Sequence, residues 1–338
     1  MPKTVEQIAG TLNLSITTVR LVLNNKADQY RISLNTQKRI LDYVVQHGYT
    51  VNHAARSLKL NKTDTLGLII PRLSNLFFST LAEKLELRCR EAGFQLMLSC
   101  SYSDLPYEGK LVEALVRRNV DGLFIIPSSL ESCNLHLKNL PKPVVFLDRD
   151  FGNQGAPLIV SDNSQGSALL TQAMLTASRQ PLFFLAGDIH QPTIKHRLNG
   201  YRRVLAAMNI DAKDQWILSA RHNRRMDGEQ MIEDFLSRHT RPPAAFIASS
   251  LPVLEGALHT LRAKLGRIPP EINIGTFDEH AMLSFLPNRV WSVRQNVEAW
   301  VENAFNAMQK AIAGESPPVK TVVPMALIQR QVARAPEG

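Results

Sequence analysis

Cysteine is scarce in this sequence. Cys89, Cys100 and Cys133 are the three thiols in 338 residues. An odd number without Cys-x-x-Cys spacing excludes a disulfide framework or a thiolate zinc site and fits buried thiols in a reducing compartment. Long apolar runs are missing as well: no segment approaches the roughly 18 residues of a membrane span. The opening MPKTVEQIAG has no apolar stretch behind its lysine, so a soluble, cytoplasmic protein is expected. Gly-x-Ser-x-Gly, the P-loop and Gly-x-Gly-x-x-Gly are absent, which removes common hydrolase and nucleotide-binding signatures. Nine histidines offer no ligand pair, since His190 and His196, six apart, do not share a helical face. No enzyme activity, metal or cofactor is expected. No heptad repeat follows TVVPMALIQR, which speaks against a coiled-coil tetramer.

What the chain does have is basic charge, unevenly placed. The net charge is +9, yet residues 1 to 62 hold nine Lys and Arg against three Asp and Glu, leaving 30 against 27 for all the rest. Such concentration suits a polyanionic partner, although a solvated basic surface would look the same. The length calls for two or three domains, each able to bury a core.

Helical periodicity organises the basic segment. Val5, Ile8, Ala9 and Leu12 share one face of a short helix, and Asn13 can adopt the left-handed conformation of a tight break. Ser15 caps a second helix in SITTVRLVLNN, where Val19, Val22 and Leu23 form a narrow apolar stripe. Ser33 and Thr36 open a third, whose Ile40, Leu41, Val44 and Val45 are expected to face inward before Gly48 ends it. The result is a helix-turn-helix unit, in which the second helix enters the major groove. Its outer face suits that groove, since Thr17, Arg20 and Asn24 can hydrogen-bond base edges, and Ile16 and Leu21 can meet thymine methyls. A compact helical hairpin with another purpose would share part of the pattern.

In YTVNHAARSLKLNK, residues 49 to 62, Asn52, Ala55 and Leu58 recur every three positions beside Arg56, Lys59 and Lys62. The segment is too short and polar to be a stable helix alone and reads as a linker that orders on DNA. At this point the chain resembles the LacI/GalR family of bacterial repressors. The motifs that carry the resemblance are TVEQIA, the S-x-x-T-V core of the second helix and N-x-x-A-x-x-L in the linker. The resemblance implies a hinge helix in the minor groove, with Asn52 and Ala55 beside a wedging Leu58, and phosphate contacts from Ser15, Thr18, Asn24, Ser33 and Thr36. Two positions depart from the family: Val51 stands where proline is common, and Arg20 where a small residue is. An additional KADQYR between the second and third helices, with the IS after it, is similar to the sucrose and fructose branch, and Tyr30 and Arg31 there are expected to touch the DNA backbone.

From residue 64 strand and helix signals alternate. TLGLIIP (65–71), FQLMLSC (94–100), DGLFIIP (121–127) and PVVFLD (143–148) make a first set of buried strands. LIVSD (158–162), PLFFLAG (181–187), WILSA (216–220), AAFIAS (244–249) and NIGTFD (273–278) make a second. One intervening helix places Phe77, Leu81, Leu85 and Cys89 on a common face. Two doubly wound parallel-sheet lobes follow, with a ligand cleft outside the carboxyl ends of their strands.

Asp148, Arg149 and Asp278 stand at such ends, Arg197 begins RLNGY on a helix, and Phe77 with Phe78 can wall an apolar ring face. Carboxylates and arginines in that setting suit sugar hydroxyls or a phosphate; structural salt bridges are the competing explanation. The resemblance implies a periplasmic-binding-protein-like effector domain and carries effector roles to Asp148, Arg197 and Asp278, extending to Gln295. Ser249 and Ser250 replace the Asn-Asp or Asp-Asp of many members, which leaves the sugar open. Fructose or fructose 1-phosphate is the first expectation, the phosphate resting on Arg149 beside Arg197.

The expected plan is an α/β chain with a helix-turn-helix domain at 1–50, a hinge at 51–63 and an effector domain at 64–338. Within the last, one lobe takes about 64–160 and 292–320, the other about 161–291 and 321–333. Homodimers paired through helices near 76–92 and 107–119 would read palindromic double-stranded operators, with a tetramer left open and no membrane contact. The implied function is repression of a sucrose- or fructose-type operon. A global carbon-flux regulator of the same family is the alternative, and a cytoplasmic sugar-binding protein or an enzyme on this fold a more distant one.

Overall fold

The segment TLGLII is buried at every position but its first, as a strand in a sheet covered on both faces must be. It becomes β1 (Thr65–Ile70), a central strand of the larger of two units in the computed structural model. The structure describes residues 3–49, 62–152, 155–178, 181–211 and 213–330. The chain divides between Thr63 and Asp64.

The smaller unit holds α1 (Val5–Leu12), α2 (Ile16–Leu23) and α3 (Leu34–His47). Each start has a local cause. Thr4 and Gln7 form a reciprocal capping box on α1, Ser15 accepts from the Thr18 amide at 3.0 Å, and Ser33 accepts from the Thr36 amide at 3.3 Å. Asn13 takes the left-handed conformation that breaks α1 from α2 (φ 52°). Val5, Ile8, Ala9, Val19, Val22, Ala27 and Ile40 form the core. Leu41 and Val45 do not join it, contrary to expectation: they are 47% and 88% exposed. Ile40 and the half-buried Val44 already fill the inward face, and residues one position further lie about 100° round the helix.

In the larger unit one lobe runs β1, α4 (Leu76–Glu91), β2 (Gln95–Cys100), α5 (Leu105–Arg117), β3 (Gly122–Ile125), α6 (Leu130–Asn139), β4 (Val144–Leu147) and β5 (Leu158–Ser161). The chain then crosses to α7 (Asn163–Ala177), β6 (Leu182–Gly187), α8 (Pro192–Ala207), β7 (Ile217–Ser219), α9 (Arg225–Arg238), β8 (Ala245–Ala248), α10 (Leu251–Leu265), β9 (Asn273–Phe277) and β10 (Val290–Gln295). It returns for α11 (Val297–Ile312) and β11 (Lys320–Val323), and crosses a third time into β12 (Met325–Arg330). The sheet orders are β11-β5-β4-β3-β1-β2 and β12-β10-β9-β8-β6-β7, so the lobes repeat one plan.

Three details correct the sequence reading. LIVSD pairs with β4 in the first sheet and does not open the second set. TVVPMALIQR is two strands parted at Pro324, with Val323 in the first lobe's core and Met325 packed on the second's. The expected divisions at 291/292 and 320/321 therefore move, because β10 pairs in the second sheet through Gln295 and β11 pairs with β5 in the first. β12 also runs antiparallel to β10, an edge exception to the parallel order.

Candidate functional site

The helix-turn-helix unit presents the expected second-helix face. Ile16, Thr17, Arg20 and Asn24 are exposed and Leu21 is half-buried, while Val19 and Val22 point to the core. Ser15 and Thr18 share a hydroxyl hydrogen bond of 2.8 Å, as Ser33 and Thr36 do at 2.9 Å. These paired hydroxyls stand at the N-termini of α2 and α3, where free amides and the helix dipole favour anions. Arg20 is not free: its guanidinium lies 3.1 Å from Glu6, an exposed pair that solvent weakens and a stronger partner can displace. Tyr30 is exposed, as is Arg31, which sits at positive φ (53°). Asn52, Ala55 and Leu58 lie outside the described residues.

In the larger unit, Asp148 and Asp278 occupy matching places in the two lobes, one residue past β4 and β9. Both adopt left-handed backbone (φ 66° and 61°), unusual for non-glycine residues. Holding a non-glycine residue there costs on the order of 1–3 kcal/mol and needs surrounding structure to impose it. Arg197 reaches between them from α8. Its Nε donates to Asn163 Oδ1 at 2.8 Å, its Nη1 to the Ser249 carbonyl at 2.6 Å, and its guanidinium lies 4.2 Å from the centre of the Phe277 ring. Arg149, in the first lobe, donates to the Pro127 carbonyl at 3.0 Å and to Ser103 Oγ at 3.1 Å.

All four charged groups are buried. Burial pushes both Asp148 and Asp278 above the usual carboxylate range, against the pull of Arg149 and Arg197 on the first and of Arg197 and a Gln295 hydrogen bond on the second. Burial lowers both arginines too, opposed chiefly by Asp148 for Arg149 and by Asp278 for Arg197. Two carboxylates and two guanidiniums, each with bonding capacity to spare, can serve the paired hydroxyls of a sugar.

These groups surround a cavity of about 90 Å³ between the lobes. Phe77, Phe78, Asp148, Arg149, Arg197, Asp278 and Gln295 line it, so seven of the eight effector residues expected from sequence meet there. Ser249 does not: its Oγ donates away from the cavity to the Ala186 carbonyl at 2.8 Å, and its role is to hold Arg197 through its own carbonyl. The next residue, Ser250, lines the wall, because alternate residues of an extended chain face opposite ways. Ser250 Oγ and Gln191 Oε1 are buried without a hydrogen-bond partner.

Sequence reasoning missed Asn75, Gln191, Thr193, Ile194 and Asn223 on the same wall. Asn75 follows β1 and Gln191 follows β6, so the strand-end rule would have found both had it been applied to every strand. Asn223 lies in a loop and is placed by Gly187, whose positive φ (68°) and missing Cβ make room; a Cβ there would sit 2.2 Å from Asn223 Oδ1. A wider hollow of about 660 Å³ opens beside the cavity and shares Phe77, Asp278 and Gln295 with it.

A model described as periplasmic binding proteins and sugar binding domain of LacI family matches residues 63–303. The chain belongs to the LacI family of transcriptional regulators. It is 27% identical over 325 residues to the sucrose operon repressor of Klebsiella pneumoniae, covering 96% of this chain and 97% of that one. It is 30% identical over 304 residues to the fructose operon regulatory protein of Vibrio cholerae, covering 89% and 91%. Two solved structures share the fold. The lac repressor dimer bound to operator and the anti-inducer ONPF matches with a TM-score of 0.84 at 18% identity, over 98% of this chain and 99% of that one. The Cra dual regulator of Pseudomonas putida in complex with fructose 1-phosphate matches with a TM-score of 0.72 at 24% identity, over 80% and 99%.

A chain of hydrogen bonds joins the two lobes of this LacI-family protein. Trp300 Nε1 donates to Ser161 Oγ at 2.9 Å, Ser161 donates to Gln295 Oε1 at 2.6 Å, and Gln295 Nε2 donates to Asp278 Oδ1 at 2.6 Å. This donor chain runs from the first lobe's core, through two crossovers, to a carboxylate in the second lobe. Thr193 adds a longer contact, its Oγ1 lying 3.4 Å from Asp148 Oδ2 across the cavity. Among the described residues no helix is long and apolar enough to cross a membrane.

Proposed function

We propose that this protein represses a sugar-utilisation operon in the cytoplasm and leaves its operator when a sugar or sugar phosphate fills the cavity between the lobes. The observation that carries the reading is the buried set Asp148, Arg149, Arg197 and Asp278, drawn from both lobes of a chain that also holds a helix-turn-helix unit. Buried charges kept only for stability would be replaceable by apolar residues at little cost. Here they accompany strained backbone and two buried polar atoms without partners, Gln191 Oε1 and Ser250 Oγ, which a hydroxylated ligand would satisfy.

Fructose 1-phosphate is the favoured effector, with Arg149 toward its phosphate, the two aspartates on ring hydroxyls and Phe77 with Phe78 against the ring's apolar face. The relatives acting on sucrose and fructose operons support that class. Pockets for drug-sized ligands run to roughly 300 Å³ or more, so a cavity of about 90 Å³ must widen by lobe movement to take a hexose. That movement would reach the DNA as a change in spacing between the two hinge segments of a homodimer on a palindromic site, where Asn52, Ala55 and Leu58 enter the minor groove. Thr17, Arg20 and Asn24, with Ile16 and Leu21, read the major groove; Ser15, Thr18, Tyr30, Arg31, Ser33 and Thr36 hold the backbone.

The test is a gel shift on the promoters of the genes that neighbour its own, with fructose 1-phosphate, fructose, sucrose and unrelated phosphates. Release by the first at the lowest concentration supports the reading, and indifference to all of them overturns the effector class. Release at promoters scattered through carbon metabolism would favour a global regulator of the same family.

A further inference from the structure

One buried charged cluster stands apart from the cavity's wall. Glu108, on α5, is wholly buried; it accepts from Ser128 Oγ at 2.5 Å, from Ser132 Oγ, and bonds His136 Nε2 at 2.8 Å. Burial pushes its carboxyl up, but His136 and the two serines outweigh this and hold it below its ordinary range, so the group is a buried anion near neutral pH. Such an anion is costly to keep for stability alone.

Its connections lead to Arg149. That guanidinium is held at two points, the Pro127 carbonyl and Ser103 Oγ. Pro127 is joined by one peptide bond to Ser128, which Glu108 grips. Ser103 precedes α5, the helix that carries Glu108, and stands in a turn where Tyr102 and Ser103 both have φ of 56°. Two consecutive non-glycine residues in left-handed backbone must be imposed by what surrounds them. The carboxylate of Glu108 thus ties the first turn of α5 to the β3–α6 connection and to α6, and Arg149 is bonded to that connection at Pro127 and to the turn leading into α5 at Ser103. Its two anchors are a carbonyl and a hydroxyl, which fix the guanidinium's direction, while Asp148, Glu108 and Asp188 bear on its charge through space.

We infer that Glu108 is a positioning residue: it holds Arg149 toward an anionic group of the effector and so sets the preference for a phosphorylated over an unphosphorylated sugar. This rests on the effector reading above.

The test uses full-length protein on operator DNA and reads the sugar concentration at half release for fructose 1-phosphate and for fructose. Loss of a buried, charge-assisted bond of roughly 1.5–3 kcal/mol corresponds to about tenfold or more. Glu108→Ala is expected to raise the fructose 1-phosphate value about tenfold or more and to change the fructose value by less than about threefold. Glu108→Gln, which can still accept from a serine, should restore most of the preference. In an Arg149→Ala background Glu108→Ala should change the ratio no further. Ser128→Ala, a milder change, should shift the ratio in the same direction if Glu108→Ala fails to fold. Equal rises for both sugars, or effects that add to those of Arg149→Ala, would overturn the inference.

A crystal structure of Glu108→Ala, or of Ser128→Ala in its place, decides the matter without the sugar. Displacement of the Arg149 guanidinium from the Pro127 carbonyl is expected, and an arginine that has not moved refutes the positioning role. A wild type released by neither sugar would remove the effector reading instead, and the variant structure would still judge Glu108.

Discussion

Ser161 and Gln295 meet where the chain passes between lobes, Ser161 Oγ donating to Gln295 Oε1 at 2.6 Å. Ser161 ends a strand of the first sheet and Gln295 a strand of the second, and both are buried. The bond fixes which way the Gln295 amide points, and hence that its Nε2 faces Asp278. Gln295→Ala leaves a hydroxyl and a carboxylate short of partners, at about 1–3 kcal/mol. A lower melting temperature and a weaker response to the effector are expected together, with calorimetry and gel shifts as the measurements. Loss of stability with a normal response would make Gln295 a structural residue only.

Arg197→Ala should abolish release by the effector, since Arg197 stands between Asp278 and Asp148 and holds the Ser249 carbonyl. Removing one partner of a buried charged set costs about 3–5 kcal/mol, so operator affinity must be measured alongside to establish that the variant is folded. Arg197→Lys should not rescue it, because an ammonium cannot serve Asn163 and Ser249 in the planar fork geometry. Normal release by either variant would remove Arg197 from the site.

Leu58→Ala should weaken binding to the specific operator while leaving affinity for random DNA nearly intact, because a wedge acts only on a deformable central step. Competition gel shifts at fixed salt measure both. An equal loss on random DNA would contradict the wedge.

The carboxylates give opposite pH signatures. Asp148 is raised in the folded state, so the folded protein binds its proton more tightly than the unfolded chain, and ionisation costs stability as pH rises through the raised value. The melting temperature of Asp148→Asn should therefore rise relative to wild type as pH increases from the ordinary value of 3.8 toward neutrality, and the relative change should vanish below it. Glu108 is lowered, so its contribution is present above its ordinary value of 4.5 and is lost as pH falls through the lowered one. Glu108→Gln should melt below wild type at pH 7, and the gap should narrow below pH 4.5. Melting curves of the variants across pH check both signs.

Much of this was legible in the sequence because local rules and burial agreed. The nine strands read from apolar runs are all present, and Asn13, Ser15, Ser33 and Gly48 mark the helix ends as read. The strand β10 was not read: VWSVRQ mixes polar residues into its apolar run, and Ser292 is buried against Glu279 and Arg330 in contacts that arise only in the folded sheet. Leu41 and Val45 misled because hydrophobicity does not state which face is turned inward. The strand-end rule found most of the cavity's wall, but it could not choose between Ser249 and Ser250, where a one-residue difference exchanges inside for outside. Glu108 carried no sequence signal, as its partners lie 20 to 28 residues away.

The most direct test of the central claim is a titration of fructose 1-phosphate into the protein–operator complex, with operator occupancy and sugar binding followed in the same sample. Occupancy should fall as sugar binds, and operator DNA should in turn weaken sugar binding by the same factor. Sugar that binds fully while occupancy stays unchanged would contradict the account.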